Sequence, residues 1–167
     1  MIPEAMDIAV GDRIPGWTMA TVDPARMKTM AALLRDPYSV HWDRAGNEAI
    51  GLGPRVINQG PLNVGYIANM LMAWAGPSTI RRLTLSFAGR VLDGDTVTAH
   101  GVVTSIESVA EASIISCDVW LERDGVRLVT GTAVIETPAV QNPADSSRRL
   151  QGHQDRAIAA VPDDRPA

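Results

Sequence analysis

Residues 60–77 have the sequence GPLNVGYIANMLMAWAGP, and this stretch decides the fold of the chain. Its apolar run from Leu62 to Ala75 is interrupted by two asparagines, which is typical of a buried helix in a soluble protein. Pro61 suits the first position of a helix, because its missing N–H is not needed there. The Gly-Pro pair after Ala75 ends a helix. The stretch therefore predicts a long buried helix that begins at Gly60 and ends near Ala75.

After this helix the sequence changes to a period of two, which indicates strands. Leu83, Leu85 and Phe87 alternate with small or polar residues and predict a half-exposed strand. Asp124-Gly125 is a strong signal for a tight hairpin turn. Further strands are predicted at residues 96–109, with Gly101 as a candidate bulge, and at 113–122 and 126–136. Because the connections are short, we expect an α+β fold in which one curved antiparallel sheet wraps around the long helix.

The segment before the main helix is predicted to contain a short strand and two helices. The strand is expected near residues 17–22. Asp23-Pro24 is a helix-start signal. That helix is expected to end at Asp36, since the residue before a proline disfavours helical dihedrals. A short second helix is expected at about residues 43–50.

Length and composition limit the class of protein. With 167 residues the chain can form one domain, which we assign to residues 1–138. Residues 139–167, rich in Pro, Asp, Arg, Gln and Ala, predict a flexible tail. No run approaches the roughly 18 apolar residues of a membrane span, and no secretion signal is present, so we expect a cytoplasmic protein with no membrane association. A formal net charge of −4 argues against nucleic-acid binding.

Cysteine and histidine positions exclude several kinds of site. The single cysteine, Cys117, cannot form an intramolecular disulfide, and its apolar neighbours predict a buried thiol rather than a nucleophile. The three histidines lie far apart and have no metal-ligand spacing, so no metal is expected. The chain also has no Gly-x-Ser-x-Gly motif, so serine-based acyl transfer has no support.

Residues 35–43, with the sequence RDPYSVHWD, contain the strongest signal for chemistry. Asp36 and His41 lie five residues apart in a segment whose Pro, Tyr and Ser favour an irregular backbone, so both side chains can turn toward one point. A carboxylate and an imidazole that meet at one water make a general acid/base pair. The alternative is that Asp36 only caps a turn and that His41 is an ordinary polar residue of a loop.

The start of the main helix is a second candidate site. Backbone N–H groups at a helix N-terminus carry a positive partial charge and can hold an oxyanion or a thioester oxygen. The N–H of Gly60 is therefore a candidate catalytic donor, with the side chain of Asn58 as the next candidate. Trp42 can line an acyl pocket and Arg55 can meet phosphates. The alternatives are core packing for the tryptophan and a solvated charge for the arginine.

The segment Asp36-x-Tyr38-Ser39-Val40-His41 resembles the Asp-x-Asn-Pro-(aliphatic)-His pattern of the MaoC-like, R-specific enoyl-CoA hydratases and dehydratases. The helix-entry glycine and short Gly-Asp motifs near residues 11 and 94 stand in the family's order, so the resemblance spans about residues 8–137. Tyr38 replaces the family's Asn and Ser39 its Pro, which changes the loop beside an intact acid/base pair. Residues 74–78 resemble small actinobacterial members that act on bulky acyl-CoA esters.

The resemblance implies a hot-dog fold and a reaction. Asp36 and His41 would add water to a 2-enoyl thioester and give a 3R-hydroxyacyl-CoA, while the Gly60 N–H holds the thioester oxygen. No cofactor is implied beyond the CoA, or acyl carrier protein, that carries the substrate. A dimer is implied, either with a second copy or with another hot-dog chain. The residues predicted to bind substrate are Tyr38, Trp42, Arg55 and Asn58.

Two other functions fit the same residues. A hot-dog thioesterase would use a carboxylate to activate water against the thioester carbonyl and would release CoA. A non-catalytic subunit would bind an acyl-CoA or complete the site of a partner chain. The changed residues Tyr38 and Ser39 keep this second alternative open.

Overall fold

The computed structural model describes residues 8–77, 79–109 and 112–138, and the predicted tail, residues 139–167, lies outside this part of the chain. The elements are, in chain order, β1 (Arg13–Met19), α1 (Pro24–Leu34), a 3-10 turn (Ser39–His41), α2 (Arg44–Ala49), α3 (Gly60–Ala75), β2 (Ile80–Phe87), β3 (Val97–Val109), β4 (Ala112–Arg123) and β5 (Val126–Pro138). A long helix followed by four strands is the order that the sequence predicts.

Helix α3 forms the centre of the core and has the predicted bounds. It ends at Gly76, whose φ of 103° favours glycine. Ile67 and Leu71 are fully buried and belong to one cluster with residues of the sheet. Burial of an aliphatic side chain of this size contributes about 1.5–3 kcal/mol. Packing against the sheet therefore stabilises α3.

The five strands form one antiparallel sheet in the order β1-β3-β4-β5-β2. Helix α3 contacts all five strands, so the sheet wraps around it. Asp124 and Gly125, with φ of 51° and 79°, form the predicted tight turn between β4 and β5. The predicted α+β architecture is confirmed, and β1 and β2 are its edge strands.

Several boundaries differ from the prediction, and strand β1 begins at Arg13, four residues before its predicted start near residue 17. Strand β1 ends at Met19 instead of Val22, because the Val22 N–H leaves the strand ladder and donates to the carbonyl of Asp95. Helix α1 ends at Leu34 instead of Asp36, because Arg35 adopts a left-handed φ of 52° and caps the helix. Asp36 therefore begins the loop rather than ending the helix.

The irregularity predicted at Gly101 lies on the partner strand β1, where the register with β3 shifts between Ile14, which pairs with Gly101, and Trp17. The register between β3 and β4 shifts between Val103 and Ser105, beyond that glycine. A β-carbon on Gly101 would lie 2.8 Å from Cδ1 of Ile14 and 3.3 Å from Cε of Met70. Glycine at this position lets β1 and α3 approach the centre of the sheet closely.

Candidate active site

The loop after α1 brings Asp36 and His41 together. Oδ2 of Asp36 lies 3.4 Å from Nε2 of His41. The other carboxylate oxygen, Oδ1, accepts a hydrogen bond of 3.0 Å from the N–H of Tyr38. Asp36 thus caps a turn with one oxygen and faces the imidazole with the other.

The hydrogen bonds of His41 determine which ring nitrogen carries a proton. Nδ1 lies 2.6 Å from the carbonyl oxygen of Ile57. Because a carbonyl oxygen only accepts, Nδ1 is the donor, and Nε2 of the neutral ring is an acceptor. Nε2 and the Asp36 carboxylate oxygen are then two acceptors that face each other. Such a pair is complementary to a molecule that offers O–H donors, such as water, or to a shared proton.

A cavity of about 490 Å³ opens beside this pair. Its lining is mostly apolar and comes from α1 and the loop of residues 35–43, with Ala31, Ala32, Pro37 and Trp42 beside the Asp36 carboxylate and two basic side chains, Lys28 and Arg35. The side chain of His41 is 12% exposed and that of Asp36 is 26% exposed. The carboxylate is therefore reached from the cavity, while most of the imidazole is shielded from solvent.

A buried amide ties this loop to the chain that precedes α3. Asn47, in α2, is 1% exposed, and its Nδ2 donates to the carbonyl oxygens of Val40 at 2.9 Å and Arg55 at 3.0 Å. The N–H of Ile57 donates to the same Val40 oxygen at 3.0 Å. Since Val40 directly precedes His41 and Ile57 binds the imidazole, these bonds fix the position of the ring.

We expect Asn47→Leu to lower both stability and turnover. Leucine is similar in size but has no donor, so the carbonyl oxygens of Val40 and Arg55 lose this partner at a cost of about 1–3 kcal/mol. The imidazole is then less well positioned, so kcat should fall while KM changes little. Urea unfolding and steady-state kinetics measure the two effects, with Asn69→Leu at an exposed position of α3 as the control. An unchanged kcat in folded Asn47→Leu protein would contradict the positioning role.

Two buried carboxylates anchor the site to the turn between β2 and β3. Asp93 accepts from the N–H of Val56 at 2.9 Å and from the guanidinium of Arg44. Arg55 donates from Nε to the Asp93 carbonyl at 2.8 Å and from Nη2 to Oδ1 of Asp95 at 2.6 Å. Because Val56 directly precedes the residue that binds His41, these bonds connect the site to the sheet.

Asp95 is held by two arginines. Nη1 of Arg123 lies 2.6 Å from its Oδ2, opposite the bond from Arg55. Burial raises the pKa of the Asp95 carboxyl, but hydrogen bonds from the Leu92 N–H, Arg123 and Arg55 outweigh burial and bring the pKa below its ordinary value. The carboxylate is therefore ionised at neutral pH, as its two ion pairs require.

Gly60 begins α3, as predicted. The first N–H groups of a helix have no partner within the helix, and the side chain of Gln59 makes no capping bond. A β-carbon on Gly60 would lie 3.6 Å from Cζ of Phe87, which is an ordinary contact. Neither backbone strain nor crowding therefore requires a glycine here, and its small size leaves the helix start open.

Asn58 precedes α3 and forms a buried polar cluster with two residues of that helix. It is 4% exposed, and its Nδ2 donates to Oδ1 of Asn63 at 2.7 Å and to the hydroxyl of Tyr66 at 3.5 Å. Burial raises the pKa of Tyr66 despite the hydrogen bond from Asn58, so its hydroxyl stays protonated at neutral pH. Oδ1 of Asn58 has no hydrogen-bond partner in the described part of the chain. Asn58 is not among the residues that line the cavity beside Asp36, and its role toward a substrate stays a prediction.

The other predicted binding residues occupy different positions. Trp42 lines the cavity together with Asp36. Tyr38 is 61% exposed, and its ring lies edge-on to the imidazole of His41 with 6.0 Å between the ring centres. Arg55 does not line the cavity, because its guanidinium is bound at Asp93 and Asp95. The structure thus places Trp42 and Tyr38 close to Asp36 and His41. Arg55 belongs instead to the ion pairs that support this site.

A thiol that could act as a nucleophile lies apart from this site. Cys117 is buried in β4, and burial, with the nearby charge of Asp118, raises the pKa of its thiol to about 12. Within residues 8–77, 79–109 and 112–138, no three His, Cys, Asp or Glu side chains converge to hold a metal ion. No helix of these ranges is long and apolar enough to cross a membrane.

The groups that position Asp36 and His41 were not predicted from the sequence. Asn47 had a readable signal, since asparagine is unfavourable inside a helix and usually has a reason to be there. The role of the Ile57 carbonyl had no signal in the sequence, because every residue carries a backbone carbonyl. Asp93 was missed as well, since its partners lie far from it along the chain.

The chain matches one protein family and several solved structures. The family model is described as MaoC like domain and matches residues 10–118. Curated protein sequences give no match. A chain of the ChsH1-ChsH2 complex from Mycobacterium tuberculosis is 26% identical with a TM-score of 0.66, and the match covers 77% of this chain and 98% of that one.

Two (R)-hydratases are also similar in structure. The (R)-hydratase from A. caviae involved in PHA biosynthesis is 25% identical with a TM-score of 0.67, over 80% of this chain and 100% of that one. The R-hydratase PhaJ1 from Pseudomonas aeruginosa is 25% identical with a TM-score of 0.65, over 78% of this chain and 83% of that one. With these neighbours, the antiparallel sheet around α3 is the predicted hot-dog fold.

Proposed function

The chain belongs to the MaoC-like domain family, and we propose that it adds water to a 2-enoyl thioester to give a 3R-hydroxyacyl thioester, or catalyses the reverse dehydration. One observation carries the proposal. A carboxylate oxygen of Asp36 and the imidazole Nε2 of His41 face each other at 3.4 Å beside an apolar cavity. The similarity to two (R)-hydratases supports this reaction over others that a hot-dog fold can perform.

The proposed step is the addition of one water across the double bond. The water donates hydrogen bonds to Oδ2 of Asp36 and Nε2 of His41, which hold its oxygen toward the β-carbon. As this oxygen bonds to the β-carbon, the pair accepts one proton of the water, and the electrons of the double bond move toward the α-carbon and the thioester oxygen. The pair then returns a proton to the α-carbon, so the sum is one H and one OH added.

Substrate binding follows from the positions of the neighbouring groups. The cavity beside Asp36, with Trp42 in its wall, would accept the acyl group, and a volume of about 490 Å³ has room for a bulky one. The N–H of Gly60 would hold the thioester oxygen as negative charge develops there. Tyr38, at the exposed side of His41, would border the entrance. No further cofactor is needed for this chemistry.

We also propose that the active unit is a dimer. Strands β1 and β2 form the two edges of the sheet, and an edge strand offers unpaired backbone groups to another chain. The partner is a second copy or another hot-dog chain. The second case is supported by the structural neighbour from Mycobacterium tuberculosis, a complex of ChsH1 with ChsH2.

A spectrophotometric screen tests the proposed reaction. Purified protein is mixed with short, medium and steroid-like enoyl-CoAs, and the loss of absorbance of the conjugated thioester is followed. A thiol reagent in parallel samples detects free CoA. We expect loss of conjugation without release of thiol. Release of thiol would identify a thioesterase, and no turnover with any thioester, alone or with a partner chain, would identify a binding subunit.

A further inference from the structure

One side of α1, which we call the basic face, carries two positive charges with two alanines between them. Lys28, Ala31, Ala32 and Arg35 follow the spacing of a single helix face, and all four line the cavity beside Asp36. The two basic residues lie about 10 Å apart along the helix axis. Because the alanines between them are short, both long side chains can turn toward one point above the alanines.

Neither basic side chain of this face has a partner among the residues that the structure describes. Lys28 and Arg35 are exposed and take part in none of the ion pairs, side-chain hydrogen bonds or ring contacts of this part of the chain. The carboxylate in the same lining, that of Asp36, accepts from the N–H of Tyr38 and faces His41. Two unpaired cations beside an apolar wall suit an anionic ligand.

The backbone of Arg35 is an independent observation. Its φ of 52° is left-handed, and at the end of a helix this conformation is usually taken by glycine. A larger residue there costs conformational energy, and its side chain gains no hydrogen bond or ion pair from the described residues. A positive charge is favourable at a helix C-terminus, but Lys28 lies too far from this end to benefit. An unfavourable backbone beside a cavity indicates a role in binding.

We infer that the acyl group of the substrate ends in a carboxylate, which Lys28 and Arg35 hold above Ala32. The inference rests on the proposed function, since that function places the double bond of the substrate beside Asp36 and His41. Ammonium and guanidinium groups donate charge-assisted hydrogen bonds to carboxylate oxygens. The apolar lining of the cavity would contact the methylene groups between the double bond and the carboxylate. The substrate class is therefore a thioester of a dicarboxylic acid.

The position of the basic face limits the length of the acyl group. Ala32 precedes Asp36 by four residues, which is about 6 Å along a helix. An extended chain advances about 3.5 Å for every three bonds, so about five bonds separate the β-carbon from the free carboxylate. The acyl group then has about eight carbons. A much shorter dicarboxylic acid would bring its free carboxylate close to that of Asp36, and the two like charges would repel each other.

Hydration of two matched substrates tests the inference. Oct-2-enoyl-CoA and oct-2-enedioyl-CoA differ only at the far end of the acyl group, which is a methyl group in the first and a carboxylate in the second. Because both carry the same coenzyme, the ratio of their kcat/KM values reports on the acyl end alone. We expect the unmodified protein to prefer the dicarboxylic substrate about tenfold, as two partly exposed ion pairs allow. High salt should weaken this preference.

Variants of the basic face show whether its charges cause the preference. Lys28→Ala and Arg35→Gly should each lower the ratio about threefold, and the double variant should remove the preference. Arg35→Gly should not lower the melting temperature, because glycine adopts a left-handed φ without strain. Arg26→Ala removes an exposed charge of the same helix that does not line the cavity, so the ratio should not change.

Three results of these kinetics would overturn the inference while hydration stands. The first is an unmodified protein that does not prefer the dicarboxylic substrate. The second is an unchanged ratio in the double variant, which would include an equal loss with both substrates and would place the two cations at the shared coenzyme. The third is an equal fall of the ratio in Arg26→Ala, which would show an effect of net charge alone.

Binding of saturated thioesters makes the test independent of turnover. Octanoyl-CoA and octanedioyl-CoA have no double bond to hydrate, and calorimetric titration measures their affinities. We expect about tenfold tighter binding of octanedioyl-CoA to the unmodified protein and equal binding of both to the double variant. Equal affinity of the unmodified protein for both, or no binding of either, would overturn the inference. Tighter binding of octanedioyl-CoA without hydration of any enoyl thioester would overturn the proposed function and leave the dicarboxylic ligand in place.

Discussion

Asp36→Asn and His41→Ala should each lower kcat/KM for hydration of an enoyl-CoA by about a hundredfold or more. The amide made by the first change can donate to Nε2 of His41, so it blocks the nitrogen that the water needs. The second change removes that nitrogen altogether. The double variant should lose little more activity than either single variant, because the two groups act on one water.

Matched variants separate this effect from damage to the fold. Asp118→Asn changes an exposed carboxylate of β4, and His100→Ala changes a histidine of β3 that stacks on Trp120. Both should retain hydration. Circular dichroism should show that the Asp36 and His41 variants are folded, since these residues lie in a loop. Turnover near that of the unmodified protein in either single variant would remove the pair from the mechanism.

Gly60→Val should abolish turnover in a protein that still folds. The added β-carbon makes only an ordinary contact with Phe87, and valine in a helix costs less than about 1 kcal/mol relative to alanine. Its methyl groups would instead crowd the N–H that is proposed to hold the thioester oxygen. Loss of one such donor lowers kcat by about a hundredfold to a thousandfold. Steady-state kinetics and thermal unfolding together measure both quantities.

Gly65→Val is the control within the same helix. A β-carbon at Gly65 would have no atom within 4 Å outside the local helix backbone, so this variant should fold and turn over normally. If Gly60→Val unfolds, Gly60→Ala gives a smaller change at the same site and should still reduce turnover. Normal hydration by folded Gly60→Val protein would mean that the oxyanion is held elsewhere, with Asn58 as the next candidate.

The parts of the fold that depend on local signals were predictable from the sequence. The bounds of α3 follow from Pro61, the apolar run and Gly76, and the β4–β5 turn follows from Asp124-Gly125. The role of Gly101 was not predictable, because it depends on the approach of β1 and α3 from distant parts of the chain. Periodicity identifies strands, but it does not show where two elements come closest.

The same division applies to the site. Asp36 and His41 were found because both lie in one short loop, where spacing limits how far apart they can be. Arg55 was predicted to contact a phosphate. Its carboxylate partner Asp95 lies 40 residues later in the chain, so no local sequence pattern indicated their ion pair. Asn47 acts through carbonyl oxygens that only the folded chain brings together.

Turnover in heavy-oxygen water, with mass spectrometry of the product, tests most directly whether the Asp36–His41 pair adds water to the β-carbon of an enoyl thioester. The position of the label identifies the carbon that the water attacks. We predict one heavy oxygen in the β-hydroxyl group of an intact R-configured thioester, and at least a hundredfold slower labelling with Asp36→Asn. Heavy oxygen in the carboxylate of a released acid, together with free CoA, would contradict hydration and identify hydrolysis of the thioester instead.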